Sequence, residues 1–120
     1  HGNRFVDWVE AVEPALRSRL RLVYNTGCSG AWQADDWRAA GADVYVGHAA
    51  PQSMSPAFYF YFLRRWARGW TLDEAVGDAN RAAARRLGWL GMAGGPFDAS
   101  AEIFGRRDVW LGAGPGGGAP

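Results

Sequence analysis

The chain has 120 residues, 48% of them hydrophobic, with seven Trp, six Phe and four Tyr, which allows one globular domain with a real core but is short for a complete α/β enzyme. No apolar run approaches the ~20 residues of a membrane-spanning helix, so the composition argues against both a disordered and a transmembrane chain. Thirteen basic residues, all Arg, are interspersed with 12 acidic ones for a net charge of +1, which leaves no electrostatic footprint for nucleic acid.

In chain order, Phe5, Val9, Val12, Leu16 and Leu20 recur at spacings of four and three and mark one face of an amphipathic helix, with Asn3 as N-cap. Pro14 falls inside that pattern and predicts a kink or a restart, because it removes a backbone donor. Leu22-Val23-Tyr24 is a short apolar run that favours β structure, and Asn25-Thr26-Gly27 breaks it into a tight turn. Asp35 to Ala40 follows as a short helix stopped by Gly41, and Asp43 to Gly47 as a second short strand. Strand, helix and strand in this order predict a parallel, right-handed crossover.

Ser55-Pro56 reads as an N-cap with proline at the first helical position. Phe58, Phe62 and Trp66 then repeat every four residues, Tyr59, Leu63 and Trp70 widen the apolar surface, and Gly69 ends the helix. Thr71 with Glu74 forms a capping box for the next helix, whose core stripe is Leu72, Val76, Ala79, Ala83, Leu87 and Leu90. Gly91 to Gly95 is a loop. Ala101 to Phe104 and Val109 to Leu111 read as a final strand or a pair of short ones. The expected organisation is an α/β domain over residues 1–111 followed by a flexible Gly/Pro-rich tail at 112–120.

The chemistry centres on Cys28, the one cysteine. A lone cysteine forms no internal disulfide, which leaves a reduced compartment or a free functional thiol; the cytoplasm is the expected location, with secretion open if a signal peptide precedes the chain. Gly27 and Gly30 flank the Cys28-Ser29 pair and are read as freeing the backbone for strained angles and keeping the space above the sulfur open. In a parallel sheet ligands bind beyond the carboxyl ends of the strands, where Cys28 and His48 both fall. A thiol near its ordinary pKa of ~8.5 is a poor nucleophile at neutral pH, so an imidazole beside it is what would activate it. His48 and His1 are the candidates, and the amides at Gly2 and Cys28 could hold an oxyanion. Asp35 and Asp36, just after the turn, could meet a basic substrate side chain or simply be solvated carboxylates at a helix start. One Cys and two His without ligand spacing argue against zinc, and no cofactor is expected.

His1-Gly2, a helix, the strand Leu22-Val23-Tyr24 and then Gly27-Cys28-Ser29-Gly30 resemble the His-Gly and Cys dyad of the caspase-like cysteine peptidases, the group of metacaspases, separase, gingipains, legumain and bacterial CHAT domains. Ala40 to Gly47 is similar to the Gly-Ala-plus-strand segment of CHAT and gingipain-like domains. The aromatic helix, Gly69 to Ala75 and Ile103-Phe104-Gly105 continue the order, although Arg106-Arg107 stands where the group often has Asp-Pro. The resemblance implies a three-layer α/β/α sandwich with a mainly parallel sheet, present here as the C-terminal portion of the domain, with the N-terminal remainder and a protein or peptide substrate as partners. It implies a cysteine endopeptidase with Cys28 as nucleophile, His1 as general acid/base and the amides of Gly2 and Cys28 as the oxyanion hole. Asp36 and His48 are weaker candidates for substrate contacts, and His48 is the available partner if His1-Gly2 is not native. A degenerate, non-catalytic interaction module is the competing class. A space-filling Cys28, an α/β-hydrolase nucleophile elbow and Ser29 as nucleophile remain further readings.

Overall fold

A computed structural model describes residues 4–17, 19–92 and 97–110. His1, Gly2, the expected cap Asn3, residues 93–95 of the expected loop, Leu111 and the 112–120 tail lie outside the described residues. The first apolar stripe is divided as Pro14 predicts: helix α1, Arg4–Glu10, ends in a turn, and α2, Pro14–Arg17, begins at the proline, where a missing N–H costs nothing. Strand β1, Leu22–Asn25, leads through the Cys28 turn into a 3₁₀ helix, Gly30–Gln33, and directly into α3, Ala34–Ala39. Strand β2, Val44–Gly47, pairs with β1 in parallel, with Leu22 opposite Val44 and Asn25 opposite Gly47. The 3₁₀ helix is an addition to the expected crossover.

Helix α4, Pro56–Ala67, and helix α5, Leu72–Trp89, follow. Ser55 is not the expected cap: its backbone is already helical and its hydroxyl makes no capping bond, while its carbonyl accepts the Phe58 and Tyr59 amides at 2.9 Å. Thr71 does cap, its extended backbone turning Oγ1 toward the Glu74 amide at 3.2 Å. Between the helices Gly69 takes a φ of 90°, a turn that side chains disfavour.

Two antiparallel helices carry the chain down and back up, so the closing strand enters the sheet from the carboxyl end of β2. With two further two-residue strands taking the labels β3, Gln52–Ser53, and β4, Phe97–Asp98, the closing strand is β5, Glu102–Gly105. It runs antiparallel to β2, with Val46 opposite Ile103. The sheet order is β1-β2-β5, and the expectation of a mainly parallel sheet is corrected to a mixed one. Val109 forms no second strand; it is buried, and its carbonyl accepts the Leu72 amide at 2.8 Å. The β3–β4 pair is parallel and separate from the main sheet, and nothing in the apolar pattern announced it.

Leu22, Tyr24, Val44, Val46 and Ile103 share the sheet face that meets α4 and α5. Phe58, Phe62, Leu72, Ala75 and Ala79 are fully buried against them, each large side chain contributing about 1.5–3 kcal/mol by leaving water. The Ala stripe of α5 lets the two helices approach closely. Leu90, expected to end that stripe, lies past the helix and is 62% exposed. On the opposite face the 3₁₀ helix crosses β2, and a Cβ on Gly47 would stand 2.7 Å from the Tyr45 ring and 2.9 Å from the Ala31 nitrogen. Among the described residues no helix is long and apolar enough to cross a membrane.

Candidate functional site

The carboxyl ends of β1 and β2 open into one polar corner. Cys28 is exposed in the turn beyond β1. Its neighbour Ser29, not a glycine, carries the left-handed backbone, at a φ of 56°, a conformation that non-glycine residues adopt at a cost. The amide of Ser29 donates to the Ala50 carbonyl at 2.9 Å and that of Ala31 to the His48 carbonyl at 3.0 Å. The Cys28 turn is thereby tied to the segment leaving β2. Cys28 Sγ lies 4.0 Å from the Ser53 carbonyl on β3, at the long limit of an S–H···O contact. Gly30 donates to the Gly27 carbonyl, whereas among the described residues the Cys28 amide enters no backbone bond.

The flanking glycines serve a purpose other than the one expected. Neither has a positive φ. A Cβ on Gly27 would meet Asn25 Oδ1 at 3.0 Å, and one on Gly30 would meet Asn25 Cγ at 2.9 Å. The space they free is filled by the Asn25 side chain, whose Oδ1 accepts the Gly27 amide at 2.8 Å, so the glycines rigidify the turn rather than open it to a ligand. Asn25-Thr26-Gly27 is a recognisable Asx turn in sequence, and that signal was available.

His48 is fully buried, which corrects its candidacy as a substrate contact. Its Nδ1 stands 3.0 Å from the Ser100 carbonyl, an acceptor only, so Nδ1 carries the proton and donates. Nε2 then accepts from the Tyr24 hydroxyl at 2.9 Å. Burial lowers the His48 pKa from its ordinary value, against the raising effect of the Ser100 and Ala99 backbone bonds and of Asp98. Burial also pushes the Tyr24 phenol far above its usual range, with Tyr59 adding to it, so the pair is a neutral donor and acceptor. The imidazole is further enclosed by Phe58, edge-on at 5.2 Å between ring centres. With both nitrogens occupied, His48 has no lone pair to offer Cys28.

Tyr24 and Ser100 are the functional neighbours that sequence reading missed. Tyr24 opposes Val46, and His48 lies two residues beyond Val46 on the same face, so strand parity alone places phenol and imidazole together. Ser100 is presented by a second Asx turn, its amide and hydroxyl both donating to Asp98 at 2.9 and 2.8 Å. Asp98 belongs to β4, and its carbonyl accepts the Met54 amide just after β3 at 2.9 Å. His48 therefore connects the far C-terminal segment to the corner that holds Cys28. Below Cys28, Ser53 Oγ is buried without a hydrogen-bond partner among the described residues.

Asp36 sits partly exposed in the first turn of α3, where a carboxylate complements the helix dipole. His1 and Gly2, the expected acid/base and oxyanion donor, lie outside the described residues. No model of a known family, no curated protein and no solved structure matches this chain.

Proposed function

We propose that the chain is the cysteine-bearing part of a caspase-like cysteine endopeptidase, a three-layer α/β/α sandwich completed by an N-terminal remainder. The observation that carries this reading is the exposed Cys28 beyond the carboxyl end of β1, in a parallel β-α-β unit, on a turn braced by Asn25, Ala50 and His48. Among the described residues β1 stands at the edge of the sheet. A further parallel strand beside it would bring a His-Gly turn to the same end as Cys28.

In this reading the Cys28 thiolate attacks the carbonyl carbon of a substrate peptide bond. The Cys28 amide, with that of Gly2, donates to the oxyanion. Collapse breaks the C–N bond, the His1 imidazolium gives its proton to the departing amine, and a thioester remains on Sγ. Water, deprotonated by the same imidazole, hydrolyses the thioester and restores the thiol. The fixed turn supplies positioning: Sγ and the amide below it belong to one rigid loop.

The test is digestion of a mixed peptide library, read by mass spectrometry as new termini, with the parent protein, carrying whatever precedes His1, and its Cys28→Ala variant. Cys28 is exposed, so the variant keeps the fold. New termini that vanish in the variant support the reading; termini made equally by both, or by neither, overturn it. The non-catalytic module draws its support from the aromatic side chains left in water, Trp32 at 83% and Trp89 at 91% exposure, and predicts no cleavage by either protein.

A further inference from the structure

Away from Cys28, binding features gather along the outer seam of α4 and α5. A cavity of about 360 Å³ opens there between Tyr61, Arg65, Ala82, Arg85, Arg86 and Trp89. A second, of about 380 Å³, is lined by Phe60, Leu87 and Leu90 together with Tyr61 and Arg86 again. Tyr61 and Arg86 wall both, so the two adjoin and together make a trough along the helix pair, with these side chains between them. Its floor is apolar, with Ala82 and Leu87 each buried. Its rim is aromatic and aliphatic, Phe60, Trp89 and Leu90 being exposed at 58%, 91% and 62%.

The charge on the rim has one sign. Helix α4 contains no acidic residue, and α5 has none after Asp78. Asp78 is itself occupied, by Arg65 at 2.7 Å and Arg81 at 3.8 Å. Arg64 lies over the Phe60 ring, 6.0 Å from its centre. Arg85 and Arg86 enter no ion pair among the described residues. Two unpaired guanidinium groups beside an apolar floor make a surface whose complement is anionic and hydrophobic together.

We propose that this trough docks an acidic peptide segment that carries aliphatic or aromatic side chains. The twelve residues of α4 span about 18 Å, so a partner helix of about 12 residues would lie along it with apolar side chains at i, i+4 and i+7 in the trough and carboxylates toward Arg85 and Arg86. The concavity selects a peptide over a bilayer, which takes up projecting side chains and leaves a recess unfilled. The apolar floor selects it over nucleic acid, whose phosphates need a continuous basic track. The docking uses none of the chemistry at Cys28, so it stands or falls apart from the peptidase reading.

The experiment is fluorescence anisotropy with a labelled helical peptide of Leu and Phe on one face and Glu on the other. Its competitors are the same peptide with Lys for Glu, a polyglutamate of equal length, phosphatidylserine vesicles and a short DNA duplex. The Leu/Phe/Glu peptide is expected to bind at least tenfold more tightly than any competitor. Arg85→Glu/Arg86→Glu, both surface positions, and separately Trp89→Ala, should each weaken it at least fivefold with the circular dichroism spectrum unchanged. No binding, equal binding of the Lys peptide or polyglutamate, preference for vesicles or DNA, or variants that bind as well as the parent would each overturn the proposal.

Discussion

The corner around Cys28 and the seam beneath α4 are both built on β1 and β2, yet they hold together by different means. Under α4 the contacts are apolar: Phe62 stacks on Phe58 at 5.5 Å and on Trp66 at 5.9 Å and meets Tyr24 edge-on at 5.3 Å. At the corner they are directional bonds, many of them to backbone, with one strained residue, Ser29, and an exposed thiol. Apolar packing is worth kilocalories per side chain and specifies little geometry; the corner's bonds are individually modest and specify where Cys28 sits. The molecule therefore separates what keeps it folded from what positions its candidate nucleophile.

The sharpest break of this contrast is Phe62→Ala, which empties a fully buried site among three rings and is expected to cost about 3–5 kcal/mol in chemical denaturation, while Cys28→Ser is expected to be nearly neutral. Gly47→Ala comes next. Its methyl group would press on Tyr45 and on the Ala31 backbone, so a loss of about 1–3 kcal/mol is expected, together with a changed Cys28 alkylation rate because the 3₁₀ helix must shift. Thr71→Ala removes the cap on Glu74 and should lower the unfolding free energy by about 1 kcal/mol without touching the Cys28 rate.

The smallest effect is a pH slope at His48. Its pKa in the folded chain is below the ordinary 6.5, so on acidification the unfolded chain takes up the proton first. Stability is complete above about pH 6.5 and is lost as the pH falls toward the folded value. Denaturation midpoints across that window should show the decline in the parent and a flatter profile in His48→Gln.

The same contrast explains what could be read in advance. The spacing of Phe58 and Phe62, the Thr71–Glu74 box and the restart at Pro14 are local and legible, because a helix face or a cap depends on residues within a turn or two. The position of Cys28 past a short β run was legible for the same reason. The role of His48 was not: its ring is held by Tyr24, 24 residues away, and by Ser100, 52 residues away, and strand register decides which way it faces. The β3–β4 pair was invisible because two-residue strands bury no apolar stripe. Gly27 and Gly30 were legible as turn residues but misread in purpose, although the Asn25 side chain that fills their space is local and its Asx turn is written in the sequence. The antiparallel β5 followed from the return of α5, a property of topology rather than composition.

The central claim is that Cys28 is a nucleophile activated by His1, and the most direct measurement is its alkylation rate by iodoacetamide at about pH 6, where an unassisted thiol is almost wholly protonated. The parent protein, carrying whatever precedes His1, is compared with its His1→Ala variant, both with circular dichroism spectra matched. The account predicts that the parent reacts at least tenfold faster. Equal rates, or a Cys28 that does not react in either protein, would contradict it.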